Sequence, residues 1–546
     1  MKTILHTDEI KGEKTEIHKN FLLGFSKNLI NYPISISIDR FFNIHSAVLG
    51  NTGSGKSNTI SHIIQEIHKK KEYSAIGSKI LLFDVNGEYK EAFPKNKSNS
   101  ELSIKLYKPN ITKPSEGYMP FYLPHFLMNL EEWGAFLLAT DATQKPFWDK
   151  VLQECYRFYK ISTAEKEGEK ELFINYLRYK LYNLINIVLS QTDTDTAIVT
   201  AASSVISAIK SIIESDKNLS IVCSKFKLDV DINELLKNCT IEYGRNDGKL
   251  KATVEKVNKK INLTKVQVVL NNKIKHSEIY FDYKFLKVAT DLSLLEEDAR
   301  GSKRLREYTS TMLTRLDYFL EHPDCAFMRC PNNEQQDSSS YLKNLWGNFE
   351  NIEVKSQMII IDTSELSPDA LETLTSVVSR LIFSDRKKLL GENRRKEPVH
   401  LILDEAHRYI HKNYKYILRE NIFEKIVREG RKYSVYLLVS SQRPSELSET
   451  VLSQCANFII HRIQNENDMR YVSAILPYFS NDFVNKIKQS TPGEALIFGN
   501  CVPMPLHVKI LQASPEPNSK NCEITKEWFK PLVLDGGMDD DDEATK

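Results

Sequence analysis

Gly50-Asn51-Thr52-Gly53-Ser54-Gly55-Lys56-Ser57 is the stretch that decides the fold of this 546-residue chain. It fits G-x-x-x-x-G-K-[ST], a phosphate-binding loop. Its glycines let successive backbone N–H groups turn inward around a polyphosphate. Lys56 supplies a point charge for the terminal phosphates, and the Ser57 hydroxyl is a ligand for a magnesium ion. Such a loop joins a strand to a helix, whose N-terminus adds partial positive charge. Both flanks comply. Ser46-Ala47-Val48-Leu49 reads as a short apolar strand, and Ile60, Ile63, Ile64 and Ile67 recur on one helix face. Lys69-Lys70-Lys71 fall where cations suit a helix C-terminus. Gly50 through Ser57, with Asn58 directly after, is the expected nucleotide cradle.

The bulk of the sequence narrows the setting. Hydrophobic content of 41% and charged content of 27% describe an ordinary globular chain long enough for more than one domain. A net charge of +2 excludes a global basic field, so any nucleic-acid contact must be local. The eight cysteines are scattered, as in a reducing compartment. Cys325 and Cys330 are the close pair, and no second pair completes a zinc site. The start, Met1 to Glu9, turns polar at once, and no uninterrupted apolar run reaches membrane-spanning length. A cytoplasmic protein without membrane contact is expected.

Outward from the loop, the core reads as split. The expected divisions are a short N-terminal segment (1–38), a first core piece (39–120), a mainly helical insertion (121–345), a second core piece (346–512) and a C-terminal segment (513–546). In the first piece, strand Ile80-Leu81-Leu82-Phe83 ends in Asp84-Val85-Asn86-Gly87-Glu88-Tyr89. Carboxylates there sit at the carboxyl edge of a parallel sheet, where ligands bind in doubly wound folds. In the insertion, Leu172 through Val188 and Val205 through Ile213 have helical spacing, while Val266 to Leu270 reads as a short strand. The second piece alternates strands and helices. Its strands are Gln357–Asp362, Val399–Leu403, Val435–Val439, Phe458–Ile460 and Ala495–Phe498. That alternation predicts an α/β fold with a parallel central sheet. The tail, Gly536 to Glu543, reads as a flexible acidic end.

Hydrolysis needs a carboxylate for magnesium and a group for the attacking water. Leu401-Ile402-Leu403-Asp404-Glu405-Ala406-His407 supplies both at one strand end. Asp404 is expected to hold magnesium and Glu405 to polarise the water. Gln442, at the tip of the next strand, is placed to sense the γ-phosphate. His407 reads as a structural or coupling residue.

Several separated motifs then resemble the HerA family, in the HerA/FtsK branch of RecA-like ATPases. They are Leu49 to Asn58, Asp84 to Tyr89, Thr311 to Met328, Ile359 to Ser364, Asp404 to His407, Arg428-Glu429-Gly430-Arg431-Lys432-Tyr433 and Ser441-Gln442-Arg443-Pro444-Ser445. The resemblance implies a RecA-like core, ATP with magnesium, a homohexameric ring, double-stranded DNA as the translocated partner, and a partner effector. It also implies an arginine reaching the neighbour's γ-phosphate, an effect of order 10³ or more in rate. Arg431 matches best, with Arg428 the alternative. The family's N-terminal β-barrel is expected to be vestigial here, with Asn20 to Phe25 similar only to its last strand. Truncated relatives of this kind resemble bacterial antiphage systems paired with a sirtuin-type NAD-consuming enzyme or a nuclease. Three functions are open: a DNA-translocating motor, with Arg386-Lys387-Lys388 and Arg394-Arg395-Lys396 as candidate basic segments; a ring scaffold that assembles and regulates an effector; and a P-loop kinase or small-molecule ATPase, which Asp404-Glu405, the candidate arginine and Gln442 disfavour.

Overall fold

The computed structural model describes residues 19–529 except 30–31, 70–74, 76, 94–102, 192–194, 240–246, 273–278, 302–303, 331–336, 347–356, 413–420, 476–480 and 520–523. Lys70, Lys71, the first nine residues and the acidic tail therefore lie outside the described residues.

Among the described residues, twelve strands form one sheet. In chain order they are β1 (Asn20–Ser26), β2 (Pro33–Ser37), β3 (Ser46–Leu49), β4 (Lys79–Asp84), β5 (Ser103–Lys108), β6 (Met119–Pro120), β7 (Gln357–Asp362), β8 (Val399–Leu403), β9 (Val435–Ser441), β10 (Asn457–Ile460), β11 (Glu494–Gly499) and β12 (Leu506–Ile510). Their spatial order is β2-β1-β12-β11-β10-β3-β9-β8-β4-β7-β5-β6. From β10 to β6 every neighbour is parallel. From β10 outward to β2 every neighbour is antiparallel. The phosphate-loop strand β3 lies at the centre, separated by β9 from β8, which Asp404 directly follows.

Alternation along the strands explains the layering. Val48, Ile80, Leu82, Met358, Ile360 and Ile402 face the layer of α1 (Lys56–His68), packing with Ile60, Ile63 and Ile64. Ala47, Leu49, Leu81, Phe83, Ile359 and Ile361 face the other side. There they join one continuous apolar cluster with the helical region, including α2 (Gln144–Thr163), α3 (Glu167–Gln191) and α4 (Asp195–Glu214). The helical insertion is thus the second cover of the sheet, filled by Trp133, Trp148, Phe158 and Ile206. This is the α/β fold with a mostly parallel central sheet and a large helical insertion that the sequence predicts.

Two expectations change. The sheet does not start at residue 39: β1 pairs β12 and β2 antiparallel, so the described part of the N-terminal segment is built into the core sheet. Phe21 and Leu23 are accordingly fully buried, with Phe21 edge-on to Phe41 at 5.7 Å. That apolar stretch is core, and of its phenylalanines Phe25 alone is exposed. Val266 to Leu270 is helical, within α5 (Leu263–Asn271). Asn262 caps that helix by accepting from the Lys265 N–H, a local bond the hydrophobic pattern does not reveal. The expectation of no uninterrupted apolar run stands: α4 is long and apolar enough over Thr196–Glu214 to cross a membrane by length and composition, but Thr200, Ser204 and Lys210 interrupt it. Its Val199, Ala202 and Ile206 are buried in the helical cluster.

Candidate nucleotide site

The site forms where β3, β4, β7, β8 and β9 end at the same edge of the sheet. The chain leaves β3 at Leu49 and enters α1 at Lys56 through a loop closed by Gly55 at φ +112°, a conformation L side chains rarely adopt. The loop is held from outside: Asn51 N–H donates to the Arg462 carbonyl at 2.9 Å, and Gly493 N–H donates to the Ser54 carbonyl at 2.9 Å. Behind it, His461 is fully buried, which pushes its pKa down to about 4. Nδ1 of that neutral ring lies 2.9 Å from the Glu494 carbonyl and donates to it. That tautomer leaves Nε2 to accept from the Thr59 hydroxyl at 2.9 Å.

Lys56 is buried, 3.2 Å from the Asn51 carbonyl and 3.9 Å from Glu405 Oε1. Its ammonium thus lies between a carbonyl of the loop and the Glu405 carboxylate. Glu405 occupies left-handed backbone space at φ +43°, a strained position for a non-glycine residue and one that clusters at functional sites. Its Oε2 lies 3.3 Å from His407 Nδ1 and 3.4 Å from the Gln442 N–H. His407 is itself 3.2 Å from the Ser441 hydroxyl, and burial lowers its pKa to about 4. The Gln442 side chain meets the Thr52 hydroxyl, so the tip of β9 closes over the phosphate loop. Lys56, Ser57, Thr52, Asp404, Glu405 and Gln442 thus converge.

The acids carry the electrostatics. Burial is the main cause that raises the Asp404 carboxyl well above its ordinary range, with Glu405, Asp84 and Glu88 adding repulsion and Lys56 opposing. Burial also raises Glu405, against the pull of Lys56. Asp84 is pushed up to about 7 by burial and by the Asp362 charge, despite N–H donors from Gly87, Glu88 and Tyr89. Asp404 Oδ2 is buried without a hydrogen-bond partner, while Oδ1 accepts from the Tyr89 hydroxyl at 3.4 Å. An orphaned carboxylate oxygen beside other acids fits a divalent cation, which would satisfy it and remove the repulsion. Asp404 and Ser57 are the residues that would hold magnesium.

Arg431 and Arg428 are not brought into this cluster. Arg428 ends a helix (Ile422–Glu429) and Arg431 lies in the turn Gly430–Tyr433, at the amino end of β9. Gln442 follows the carboxyl end of that seven-residue strand, about 20 Å away at roughly 3.3 Å per residue. Sequence reasoning assigned no role to Glu88, whose carboxylate accepts the Ser57 hydroxyl at 2.6 Å. The signal was there in the acid-rich turn after β4, but the motif alone does not say which acid turns toward the loop.

The family described as "Helicase HerA, central domain" matches residues 23–382, about two thirds of the chain. The chain belongs to the HerA family. This HerA-family chain is 28% identical over 236 residues to the DNA double-strand break repair helicase HerA of Sulfolobus acidocaldarius, covering 43% of this chain and 44% of that protein. It is 39% identical over 117 residues to the Pyrococcus furiosus HerA, covering 21% and 20%. It spans less than half the length of these curated relatives. Among solved structures it is similar to VirB4 of Thermoanaerobacter pseudethanolicus, with TM-score 0.43 and 14% identity over 91% of this chain and 97% of that one. It is also similar to the plasmid coupling protein TrwB bound to a non-hydrolysable ATP analogue, with TM-score 0.38 and 12% identity over 92% and 97%. Asp404, Glu405, Arg431 and Gln442 lie C-terminal to the residues matched by the HerA family.

Proposed function

We propose that this HerA-family protein hydrolyses ATP and uses the energy as a DNA translocase or helicase, as a homohexamer working with a partner effector. The observation that carries the reading is the convergence of Lys56 and Glu405, 3.9 Å apart at one sheet edge, with Asp404 Oδ2 left unpartnered beside them. Gly50 through Asn58 would cradle the phosphates, with Lys56 on their terminal charge. Magnesium, held by Ser57 and Asp404, would neutralise phosphate charge. Glu405 would take a proton from the attacking water, a role its raised pKa suits. Gln442 would orient that water and report the γ-phosphate to β9.

The distance of Arg431 and Arg428 from their own site favours the hexamer. An arginine at the opposite edge acts on a nucleotide only from a neighbouring subunit, supplying charge where the transition state develops it. Double-stranded DNA as substrate is supported by the named relatives, which are described as DNA double-strand break repair helicases. The effector, a sirtuin-type NAD-consuming enzyme or a nuclease in antiphage defence, rests on the family resemblance alone. The test is ATP turnover by the purified protein with and without duplex DNA. Turnover that rises with DNA and falls with salt supports a translocase. Turnover indifferent to DNA favours the scaffold reading, in which nucleotide state assembles and regulates an effector. No turnover overturns both.

A further inference from the structure

The turn after β4 points a fourth acid at the phosphate loop. Ser57 Oγ donates to Glu88 Oε2 at 2.6 Å, a short charge-assisted bond. A serine hydroxyl has one proton and two lone pairs. Giving the proton to Glu88 turns both lone pairs away from the carboxylate. Glu88 is not placed there loosely. Asp84 Oδ1 accepts from Gly87 N–H at 2.8 Å and Glu88 N–H at 3.1 Å, and Oδ2 accepts from Tyr89 N–H at 3.0 Å. Gly87 supplies the φ of +72° that the turn requires. From the C-terminal side, Asn518 N–H donates to the Glu88 carbonyl at 2.8 Å. The next residue, Tyr89, reaches Asp404 Oδ1 at 3.4 Å. Residues 88 and 89 therefore touch both groups that would hold magnesium.

We propose that Glu88 is a positioning residue for the magnesium of this site, accepting the Ser57 proton and so fixing the lone pair that Ser57 presents to the ion. The inference rests on the nucleotide-site reading above and adds to it a group that acts through Ser57. Outer partners of this kind typically contribute 10–100-fold in metal affinity. The competing role is purely structural, a carboxylate near the amino end of α1 complementing the helix dipole. That role would support the loop equally with and without magnesium.

The experiment is binding of a fluorescent, non-hydrolysable ATP analogue to the full chain as magnesium is titrated. The proteins are wild type, Glu88→Ala and Glu88→Gln, with melting curves in EDTA as a fold check. Glu88→Ala is expected to raise the magnesium concentration at half-maximal effect by about tenfold or more. Its analogue affinity in EDTA should be no weaker than that of wild type. Glu88→Gln, whose amide oxygen still accepts the Ser57 proton, should fall between. Unchanged magnesium midpoints in both variants overturn the inference, as does an equal loss of affinity with and without magnesium. If Glu88→Ala does not fold, Glu88→Gln decides: a raised midpoint supports the proposal and the wild-type midpoint overturns it. If wild type itself binds the analogue without regard to magnesium, the nucleotide-site reading falls and takes this one with it. If wild type responds and the variants match it, this one falls alone.

Discussion

Buried charge is treated in opposite ways at the carboxyl edge of the sheet and in the helical region. At the sheet edge, burial and mutual repulsion raise Asp404, Glu405 and Asp84. In the helical region Glu154 is equally buried, yet its carboxyl is lowered, because Lys180 and Arg157 outweigh desolvation. Lys180 Nζ lies 2.9 Å from Glu154 and 2.8 Å from Glu296, and Arg157 lies 2.7 Å from Glu154. Glu296, on the helix Phe285–Ala299, is lowered to about 2 by Lys180 and Lys150 against its own burial. Paired burial of this kind holds helices in register. Unpaired burial costs stability and persists where something else is bound. The contrast separates a structural network from a binding site with the same residue types.

The largest expected effect is on turnover at the unpaired site. Lys56→Ala should lose both nucleotide binding and hydrolysis. Glu405→Gln should bind ATP yet turn over slower by roughly 10²–10⁴. Filter binding and phosphate release check both, and near-wild-type turnover in Glu405→Gln would remove its assigned role. Next comes the paired network. Glu154→Ala leaves buried Lys180 and Arg157 without their shared partner and should cost about 3–5 kcal/mol. Thermal melting reads it, with analogue binding by the remaining folded protein as the control. A wild-type Tm would mean the network is not holding the helices.

The smallest effect has the opposite sign. Asp404→Asn should raise the Tm of nucleotide-free protein at pH 8 by about 2 °C. A carboxyl raised on folding ionises more readily in the unfolded chain, so its drag on stability grows as pH rises above its unfolded value. The gain should shrink as pH falls toward about 4. Glu296, lowered to about 2, behaves in reverse. Its stabilisation is present above its ordinary value and is lost as pH falls toward 2. A melting series from pH 2 to 8 sharpens the comparison. A lower Tm for Asp404→Asn at pH 8 would break it.

How much of this was legible follows from range in sequence. The phosphate loop, its strand and helix, and the apolar run into Asp404-Glu405 are local patterns, and the structure places them as read. Which layer each strand residue faces was not legible, because Ile80 to Phe83 is apolar throughout and only the structure shows Leu81 and Leu82 entering different layers. The antiparallel extension was not legible either, since β1 meets β12 across nearly the whole chain and no local pattern encodes that pairing. The Glu154–Lys180–Glu296 network joins three helices and was invisible for the same reason. Val266 to Leu270 failed differently: a β-branched run was overridden by the Asn262 cap and by Val266 and Val269 packing beside Tyr176. Glu88 lay within a recognised turn, but its partner Ser57 is 31 residues away.

The central claim is that the nucleotide site is completed by a neighbouring subunit, and subunit mixing tests it most directly. Rings of Arg431→Ala alone and of Glu405→Gln alone should each be nearly inactive, the former down by roughly 10³ or more. In mixed rings, some interfaces pair an intact Glu405 with an intact Arg431 from the next subunit, and partial ATP turnover should return. Recovery in mixed hexamers verified by native mass spectrometry is the predicted result. No recovery in such rings, or a monomeric mass for the nucleotide-bound protein, would contradict the account.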